Sequence, residues 1–221
     1  KLGCAFPMGP LRLADYIAET LVDHNIRHVF MLTGGAAMHL NDALGNHPDL
    51  EYICCHHEQA CAMAAESYFR MSGKLAVLNV TAGPGAINAL NGVFGAYVDS
   101  MGMIVISGQA KRETMVRNYD IPLRQLGDQE VDIISMVHPI TKYATVLHEP
   151  EMVRQVMEKA IFLATHGRPG PVWVDVPIDV QASLVDPEDL PAFEPEDIES
   201  ILNDNNLAEN TKGEFEIITS S

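Results

Sequence analysis

The amino-acid sequence predicts an α/β fold in three layers, with a mostly parallel sheet that carries helices on both faces, plus an acidic C-terminal tail. Short apolar runs alternate with amphipathic segments along most of the chain, which is the order of a parallel sheet whose strands are joined by helices. The apolar runs are nearly continuous, as expected for strands that are buried on both faces. Several of these runs end in glycine-rich turns.

The first half of the chain predicts alternating helices and strands. Residues 13–25 place apolar side chains on one side of a helix and acids largely on the other. Residues 29–33 form a β-rich run that stops at Gly34-Gly35. The elements predicted next are a helix over 36–44, a strand over 52–55 and a helix over 59–71 that ends at Ser72-Gly73.

The second half continues this pattern with one interruption. Residues 111–132 predict a long loop with short helical pieces, and shorter apolar groups follow at 133–138 and 143–146. The regular elements predicted here are a strand over 75–80 with a turn at 81–85, a helix over 86–98, a strand over 103–107, a helix over 149–165 and a strand over 171–176.

Composition and charge divide the chain into three parts. We expect an N-terminal extension at residues 1–10, a folded domain at 11–186, and a linker or tail at 187–221 that is poorly ordered over much of its length. The formal net charge is −16. Residues 186–221 contain eleven acids and one base and so carry −10 of this charge, which leaves −6 for the rest. The acidity argues against non-specific binding to nucleic acid.

The cysteines and the lack of long apolar stretches bear on the compartment. No apolar stretch reaches the length of a membrane span, and the N-terminus has no hydrophobic core of the secretory kind. Cys4, Cys54, Cys55 and Cys61 have no metal-binding spacing, and we interpret them as buried free thiols. Free thiols favour a reducing compartment, so we expect a cytoplasmic protein.

Glu58 is the most informative residue of the chain. It follows the predicted strand 52–55 and stands at the start of an Ala-rich helix. A carboxylate at such a junction lies at the carboxyl end of the sheet, where open α/β folds bind their ligands. It also faces the positive end of the helix dipole. From this segment alone, a helix-capping acid is the alternative interpretation.

Glycine-rich turns follow two of the other strands. Gly34-Gly35 and Gly83-Pro84-Gly85 each follow a strand and open a helix, which lets the backbone approach a ligand or the helix N-terminus receive an anion. Gln109 follows the strand 103–107 and adds a fourth group at the same edge of the sheet. Tight structural turns are one alternative. A generic nucleotide-binding domain is another, but the sequence has no Gly-x-Gly-x-x-Gly and no lysine-bearing phosphate loop.

A set of short motifs follows these residues in a fixed order. They are Thr33-Gly34-Gly35-Ala36, His57-Glu58-Gln59, Thr81-Ala82-Gly83-Pro84-Gly85-Ala86-Ile87-Asn88, Ala96-Tyr97-Val98-Asp99-Ser100, Ile106-Ser107-Gly108-Gln109, Gln129-Glu130, Pro139-Ile140-Thr141-Lys142 and Gly167-Arg168-Pro169-Gly170-Pro171-Val172. With these motifs, residues 11–181 resemble the N-terminal pyrimidine-binding domain of thiamine-diphosphate-dependent enzymes of the acetolactate synthase and pyruvate oxidase type. The order and spacing of the motifs agree from end to end.

The resemblance implies a role for Glu58. In that family the matching glutamate hydrogen-bonds N1′ of the cofactor's aminopyrimidine, and the resulting proton exchange lets the cofactor lose its C2 proton and attack a 2-keto acid. The cofactor performs the chemistry, and the protein orients it and manages protons. The implied activity is that of an acetolactate-synthase-like carboligase or decarboxylase, a transferase or lyase that uses thiamine diphosphate and Mg²⁺.

The resemblance also implies roles for other motif residues. Gln109 would be a second catalytic group that faces the reaction centre. The remaining implied contacts are Gly83, Pro84 and Asn88 at the cofactor, Gly34 and Gly35 on its substrate side, and Gln129 at the active-site entrance. Thr33 and Asp128 stand where acetolactate synthases usually carry a proline and an aromatic residue, so the keto acid and the reaction stay open.

One half of the family's cofactor site is missing from the sequence. That half carries a Gly-Asp-Gly motif that holds Mg²⁺ and the diphosphate, and the nearest string here is Gly127-Asp128-Gln129. We therefore predict no metal ligand in this chain and expect a diphosphate-binding domain, absent from it, to hold Mg²⁺. The chain alone should be inactive. It should self-associate as a homo-oligomer such as a homodimer, and expose an apolar patch on the helices from Gln59 and Ala86.

Three interpretations of this incomplete site stay open. The chain is the N-terminal domain of a longer enzyme, with residues 187–221 leading to an absent middle domain. Alternatively, it is a natural short subunit that completes its site with a separate chain. The third interpretation is a non-catalytic interaction module that kept the fold and lost the chemistry. Neither nucleic acid nor a membrane is expected as a partner, and any flavin would bind in other domains.

Overall fold

A six-stranded parallel sheet forms the centre of the protein. The structure, a computed structural model, describes residues 9–195. The strands are β1 (Leu11–Arg12), β2 (His28–Met31), β3 (Glu51–Cys54), β4 (Val77–Val80), β5 (Met103–Gln109), β6 (Tyr143–Val146), β7 (Pro171–Pro177) and β8 (Leu184–Val185). The central sheet has the order β3-β2-β4-β5-β7-β6 with every pairing parallel. The short strands β1 and β8 pair antiparallel outside it.

Helices connect these strands and cover both faces of the sheet. The α-helices are α1 (Leu13–Asp23), α2 (Met38–Asn46), α3 (Glu58–Ser72), α4 (Pro84–Val98), α5 (Ile133–Val137), α6 (Val153–Thr165) and α7 (Ile178–Gln181). Short 3₁₀ helices lie at Gly35–Ala37, Arg112–Thr114, Val116–Asn118, His138–Ile140, Pro150–Met152 and Pro187–Asp189. Within residues 9–195, no helix combines the length and the apolar character that crossing a membrane requires.

Two hydrophobic cores lie on opposite faces of the sheet. One core joins the sheet to α1, α2, α6 and α7, and the other joins it to α3, α4 and α5. The strands β4, β5 and β7 are buried along their whole length, which explains their unbroken apolar runs. Trp173 is fully buried in the second core. The predicted three-layer α/β fold is therefore confirmed.

Some element boundaries differ from the predicted ones. The strand predicted to end at Ser107 continues through Gly108 to Gln109, which is paired with Pro177 of β7. Gly108 does not end the strand: a Cβ on this residue would lie 2.2 Å from the carbonyl oxygen of Ala36, so the glycine makes room for the turn before α2. The apolar group at 133–138 begins with a short helix, α5. The helix predicted over 36–44 starts as a 3₁₀ turn, and α2 follows it from Met38.

The beginning of the predicted tail contacts the folded domain. Leu190 is buried, and the backbone N–H of Phe193 donates to the Glu158 carboxylate at 2.8 Å. The ring of Phe193 lies 5.8 Å from that of Phe162, centroid to centroid. These contacts attach the chain to α6 beyond residue 187. The prediction of a poorly ordered tail covers residues 187–221, of which 196–221 lie outside the described residues, as do residues 1–8 of the predicted N-terminal extension.

Candidate functional site

The carboxyl ends of β2, β3, β4 and β5 meet at one edge of the sheet, and Glu58 lies there as the first residue of α3. Glu58 does not cap this helix. The capping residue is His57, whose ring Nδ1 accepts a hydrogen bond from the backbone N–H of Gln59 at 3.1 Å. The Glu58 side chain is only 8% exposed. The carboxylate is therefore free to make contacts outside its own helix.

The main contact of the Glu58 carboxylate is with Asn88 of α4. The Asn88 Nδ2 group donates to Glu58 Oε2 at 3.0 Å. The other oxygen, Oε1, receives no hydrogen bond from residues 9–195, and it is not among the oxygens closed off from solvent. A Cβ on Gly85 would lie 3.2 Å from Oε1 and 2.7 Å from the Thr81 methyl group. The glycine therefore leaves room for a carboxylate that keeps one acceptor oxygen available.

A close crossing of α3 and α4 supports this pair. A Cβ on Gly92 would lie 2.5 Å from the Cβ of Ala62 and 3.0 Å from the Ala62 backbone carbonyl carbon, so the two helices approach each other closely. Gly92 follows Asn88 by one helical turn, and Ala62 follows Glu58 by one turn. The crossing therefore sets how closely Asn88 approaches Glu58.

The Gly34-Gly35 turn is attached to the end of β4. A Cβ on Gly34 would lie 2.4 Å from the Cβ of Thr81, and the Ala36 N–H donates to Thr81 Oγ1 at 3.2 Å. Asn41 of α2 donates to the Gly34 carbonyl oxygen at 3.1 Å. Nothing lies within 4 Å of the Cβ position on Gly35. Gly34 thus accommodates a contact within the chain, whereas Gly35 faces open space.

Two buried amides that the sequence analysis missed support the same turn. Gln181 donates to the Ala36 carbonyl oxygen at 2.8 Å. Asn79 donates to the Asn41 side chain at 2.7 Å. Asn79 could have been found, because it is a polar residue within an otherwise apolar strand. No local signal marks Gln181, whose partner is 145 residues away.

Gln129 lies against the turn that precedes α4. A Cβ on Gly83 would lie 2.2 Å from the Gln129 carbonyl oxygen, and Gly83 has a φ of +59°. Gln129 itself has a φ of +52°. The neighbouring Glu130 accepts hydrogen bonds from the backbone N–H groups of Val116 at 2.6 Å and Gly127 at 3.2 Å, which folds the loop. The predicted residues Gly83, Pro84 and Gln129 are therefore brought together.

Gln109 is placed differently from these residues. It is 1% exposed, and its Nε2 donates to the Val131 carbonyl oxygen and to Asp175 Oδ2, both at 2.9 Å. Burial raises the pKa of the Asp175 carboxyl to about 7, while its hydrogen bonds and Arg117 lower this pKa and Asp132 raises it. The bond to the Val131 carbonyl oxygen connects Gln109 to the backbone two residues after Gln129. That Gln109 faces the reaction centre stays a prediction.

The thiols near Glu58 are less uniformly buried than the sequence predicts. Cys61 is buried, Cys55 is half-buried and Cys54 is exposed, while Cys4 lies outside the described residues. Burial raises the pKa of the Cys61 thiol to about 12, with a hydrogen bond to Cys55 as the second cause. The prediction was wrong for Cys54 because β3 is an edge strand of the sheet, which an apolar run alone does not reveal.

Exposed apolar side chains lie on the two helices that carry Glu58 and Asn88, as the sequence predicts. They are Met63 and Met71 on α3 and Ile87, Phe94 and Val98 on α4. In a monomeric protein such side chains are usually scattered singly, and groups of them mark surfaces for other chains.

Comparison with known proteins identifies the family. A model of the family described as "Thiamine pyrophosphate enzyme, N-terminal TPP binding domain" matches residues 11–136. The acetolactate synthase large subunit of Buchnera aphidicola subsp. Acyrthosiphon pisum (strain APS) is 40% identical over 167 residues, which are 76% of this chain and 28% of that protein. The acetolactate synthase isozyme 3 large subunit of Escherichia coli (strain K12) is 36% identical over 167 residues, again 76% of this chain and 28% of that protein.

A plant relative extends the match. The chloroplastic acetolactate synthase of Arabidopsis thaliana is 37% identical over 184 residues, 82% of this chain and 26% of that protein. The chain thus spans little more than a quarter of the length of these relatives. Glu58, Asn88 and the glycine turns described above lie within the matched residues. The chain therefore belongs to the thiamine pyrophosphate enzymes, as an N-terminal cofactor-binding domain of that family.

Proposed function

We propose that this chain supplies the pyrimidine-binding half of the site in a thiamine-diphosphate enzyme that acts on 2-keto acids, as a carboligase or decarboxylase of the acetolactate synthase type. The observation that carries this proposal is the Glu58 carboxylate, which Asn88 holds through one oxygen while the other has no hydrogen-bond partner within residues 9–195. The residue is largely buried while this oxygen stays accessible, which suits a donor from a ligand.

The residues fit one half of the cofactor and not the other. For the pyrimidine half, Glu58 offers an oxygen that can accept a hydrogen bond, and Gly35 borders open space. For the metal and diphosphate half, the described residues contain no group of three or more His, Cys, Asp or Glu side chains that could hold an ion. Mg²⁺ and the diphosphate therefore belong, in this proposal, to a domain of the same or another chain.

Glu58 acts as an acceptor that shares a proton with a weakly basic ring nitrogen. Asn88 donates to Oε2 and so anchors that oxygen of the carboxylate. The small Gly85 keeps space beside Oε1. When bound, thiamine diphosphate supplies the nucleophilic carbon and the electron sink for reaction of the keto acid. The chain contributes orientation and the position of one proton.

The other assignments follow the arrangement around Glu58. We assign Gly83 and Pro84, at the start of α4, to the cofactor's pyrimidine side, and Gly34 and Gly35 to the substrate side. Gln129 stands at the entrance, where it contacts the Gly83 turn. The exposed position of Pro84 and the open space at Gly35 support these assignments.

The partners of the chain follow from the incomplete site. The proposal requires a diphosphate-binding domain, and we expect the 221-residue chain alone to be inactive. The exposed apolar side chains of α3 and α4 suit such a domain or a second copy of the chain in a homo-oligomer. A non-catalytic module is disfavoured by the intact contact between Glu58 and Asn88, because that role needs no buried carboxylate.

The test is Glu58→Gln in the assembled enzyme, which is the chain together with its diphosphate-binding domain or subunit. The amide keeps the shape of the side chain but cannot take up a proton. We expect the rate of C2 proton exchange in bound thiamine diphosphate, measured by NMR after acid quenching, to fall roughly 100-fold or more. The matched control is Glu66→Gln on the same helix, where the carboxylate pairs with Arg70. C2 exchange at the wild-type rate in Glu58→Gln would refute the proposal.

A further inference from the structure

A buried carboxylate that the proposed site does not use lies beneath Gln109. Asp175 of β7 is 1% exposed. Ser107 Oγ donates to its Oδ1 at 2.5 Å, and Gln109 Nε2 donates to its Oδ2 at 2.9 Å. The Trp173 indole N–H donates to Ser107 Oγ at 2.8 Å, which fixes the hydroxyl that faces Asp175. Asp175 is therefore held rigidly between two neighbouring strands.

The amide of Gln109 is fully occupied by this arrangement. Its Nε2 donates both to Asp175 and to the Val131 carbonyl oxygen, and its Oε1 accepts from the Ala110 N–H at 2.9 Å. A buried side chain with all these bonds cannot turn toward a substrate without leaving polar groups unpaired. Gln109 is thus suited to holding the backbone at Val131.

The held backbone is the end of the segment that carries Gln129. Residues 110–132, called here the 110–132 segment, connect β5 to α5. Gln129 lies two residues before Val131, and its carbonyl oxygen lies 2.2 Å from the position that a Cβ on Gly83 would take. Gly83 in turn begins the turn into α4, which carries Asn88. Contacts therefore lead from Asp175 to the entrance of the proposed site.

We propose that Asp175 and Gln109 are positioning residues, which together hold Val131 and thereby seat Gln129 on Gly83. Gln109 acts through the 110–132 segment and does not touch the substrate. This inference rests on the proposed function, because it assigns the seated Gln129 to the entrance of that site. It changes the role expected of Gln109 from a group at the reaction centre to a tether.

The first readout is hydrogen–deuterium exchange of the full 221-residue chain. We expect amides in the 110–132 segment to exchange about tenfold faster in Asp175→Ala and in Gln109→Met, the effect of losing about one hydrogen bond. Asp175→Asn should stay near wild type, because its amide oxygen still accepts from Gln109 and its NH₂ group can donate to Ser107. The matched control is Thr20→Val on the other face of the sheet. It removes a buried hydroxyl that donates to the backbone carbonyl oxygen of Tyr16.

The second readout is the kinetics of the assembled enzyme. We expect KM for the keto acid to rise about tenfold in Asp175→Ala and Gln109→Met, with a smaller change in kcat, and Asp175→Asn to restore KM. The double variant should be no worse than either single one, because both remove the same tether. If Asp175→Ala does not fold, Gln109→Met carries the same test.

The outcomes separate this inference from the proposed function. C2 proton exchange should stay at the wild-type rate in Gln109→Met, because Glu58 and Asn88 are unchanged. Loss of C2 exchange or of kcat in Gln109→Met, with unaltered amide exchange in the 110–132 segment, overturns the tether and makes Gln109 a group at the reaction centre. The proposed function fails instead when Glu58→Gln has no effect, whatever Gln109→Met does.

Discussion

Gly92 offers a direct test of how the crossing of α3 and α4 sets the site. Gly92→Ala adds one methyl group at a point 2.5 Å from the Cβ of Ala62 and 3.0 Å from the backbone N of Met63. Carbon atoms in contact prefer a separation of about 3.5–4.0 Å. The helices must therefore move apart, since the obstructing atoms are an alanine Cβ and two backbone atoms, none of which can turn aside.

The magnitude follows from two opposing effects. Overpacking of this kind costs about 1–3 kcal/mol, and alanine gains up to about 1 kcal/mol over glycine in a helix. We expect the free energy of unfolding to fall by about 1–2 kcal/mol. The movement should also lengthen the hydrogen bond between Asn88 and Glu58, which lies one turn away along both helices.

The assay is equilibrium unfolding of the 221-residue chain in urea, with Gly45→Ala as control. Gly45 lies in α2 and nothing lies within 4 Å of its Cβ position, so the same substitution should stabilise the protein there by up to about 1 kcal/mol. Adding Ala62→Gly to Gly92→Ala should recover part of the loss, because it removes the nearest carbon. Equal effects of Gly92→Ala and Gly45→Ala would refute the reasoning.

Three further predictions concern a buried acid, a hydroxyl and the thiols. Because burial raises the pKa of Asp175 from 3.8 to about 7, the folded state keeps a proton that the unfolded state loses, and stability should fall as the pH rises through this range. Asp175→Asn should flatten this fall in urea titrations at several pH values; an unchanged slope would contradict the assignment. Thr81→Val keeps the methyl group but removes the acceptor for the Ala36 N–H, so exchange of that amide should accelerate about fivefold, and Thr81→Ser should restore it. In the folded chain, thiol reagents should modify the exposed Cys54 before the buried Cys61, so Cys54→Ser should remove one rapidly reacting thiol. If Cys61→Ser removed the rapidly reacting thiol instead, the assigned burial of these two cysteines would be wrong.

Much of the fold could be predicted because its signals are local. Apolar runs and glycine turns gave the alternation of strands and helices, and the position of Glu58 after β3 followed from the same pattern. The role of His57 as the helix cap was missed, because either His57 or Glu58 can satisfy the first N–H groups of α3. Only the three-dimensional direction of the carboxylate, toward Asn88, decides between them.

The contacts that could not be predicted depend on strand order. Asp175 meets Gln109 across 66 residues because β5 and β7 are neighbours in the sheet. A pattern of alternating strands and helices does not state which strands lie side by side. The exposure of Cys54 depends in the same way on β3 being at the edge.

The glycines of this site show why packing within the chain matters as much as access for a ligand. The sequence motif suggests that glycine lets the backbone approach a cofactor. At Gly34, Gly83 and Gly92, however, the space of a missing side chain is taken by Thr81, by Gln129 and by Ala62. Each of these contacts joins two elements that border Glu58. The geometry around the carboxylate is therefore fixed by close contacts within the chain before a cofactor binds, which is the condition for a preorganised site. It follows that enlarging any of these glycines should displace a neighbouring element and so disturb the site even where no ligand touches the new side chain.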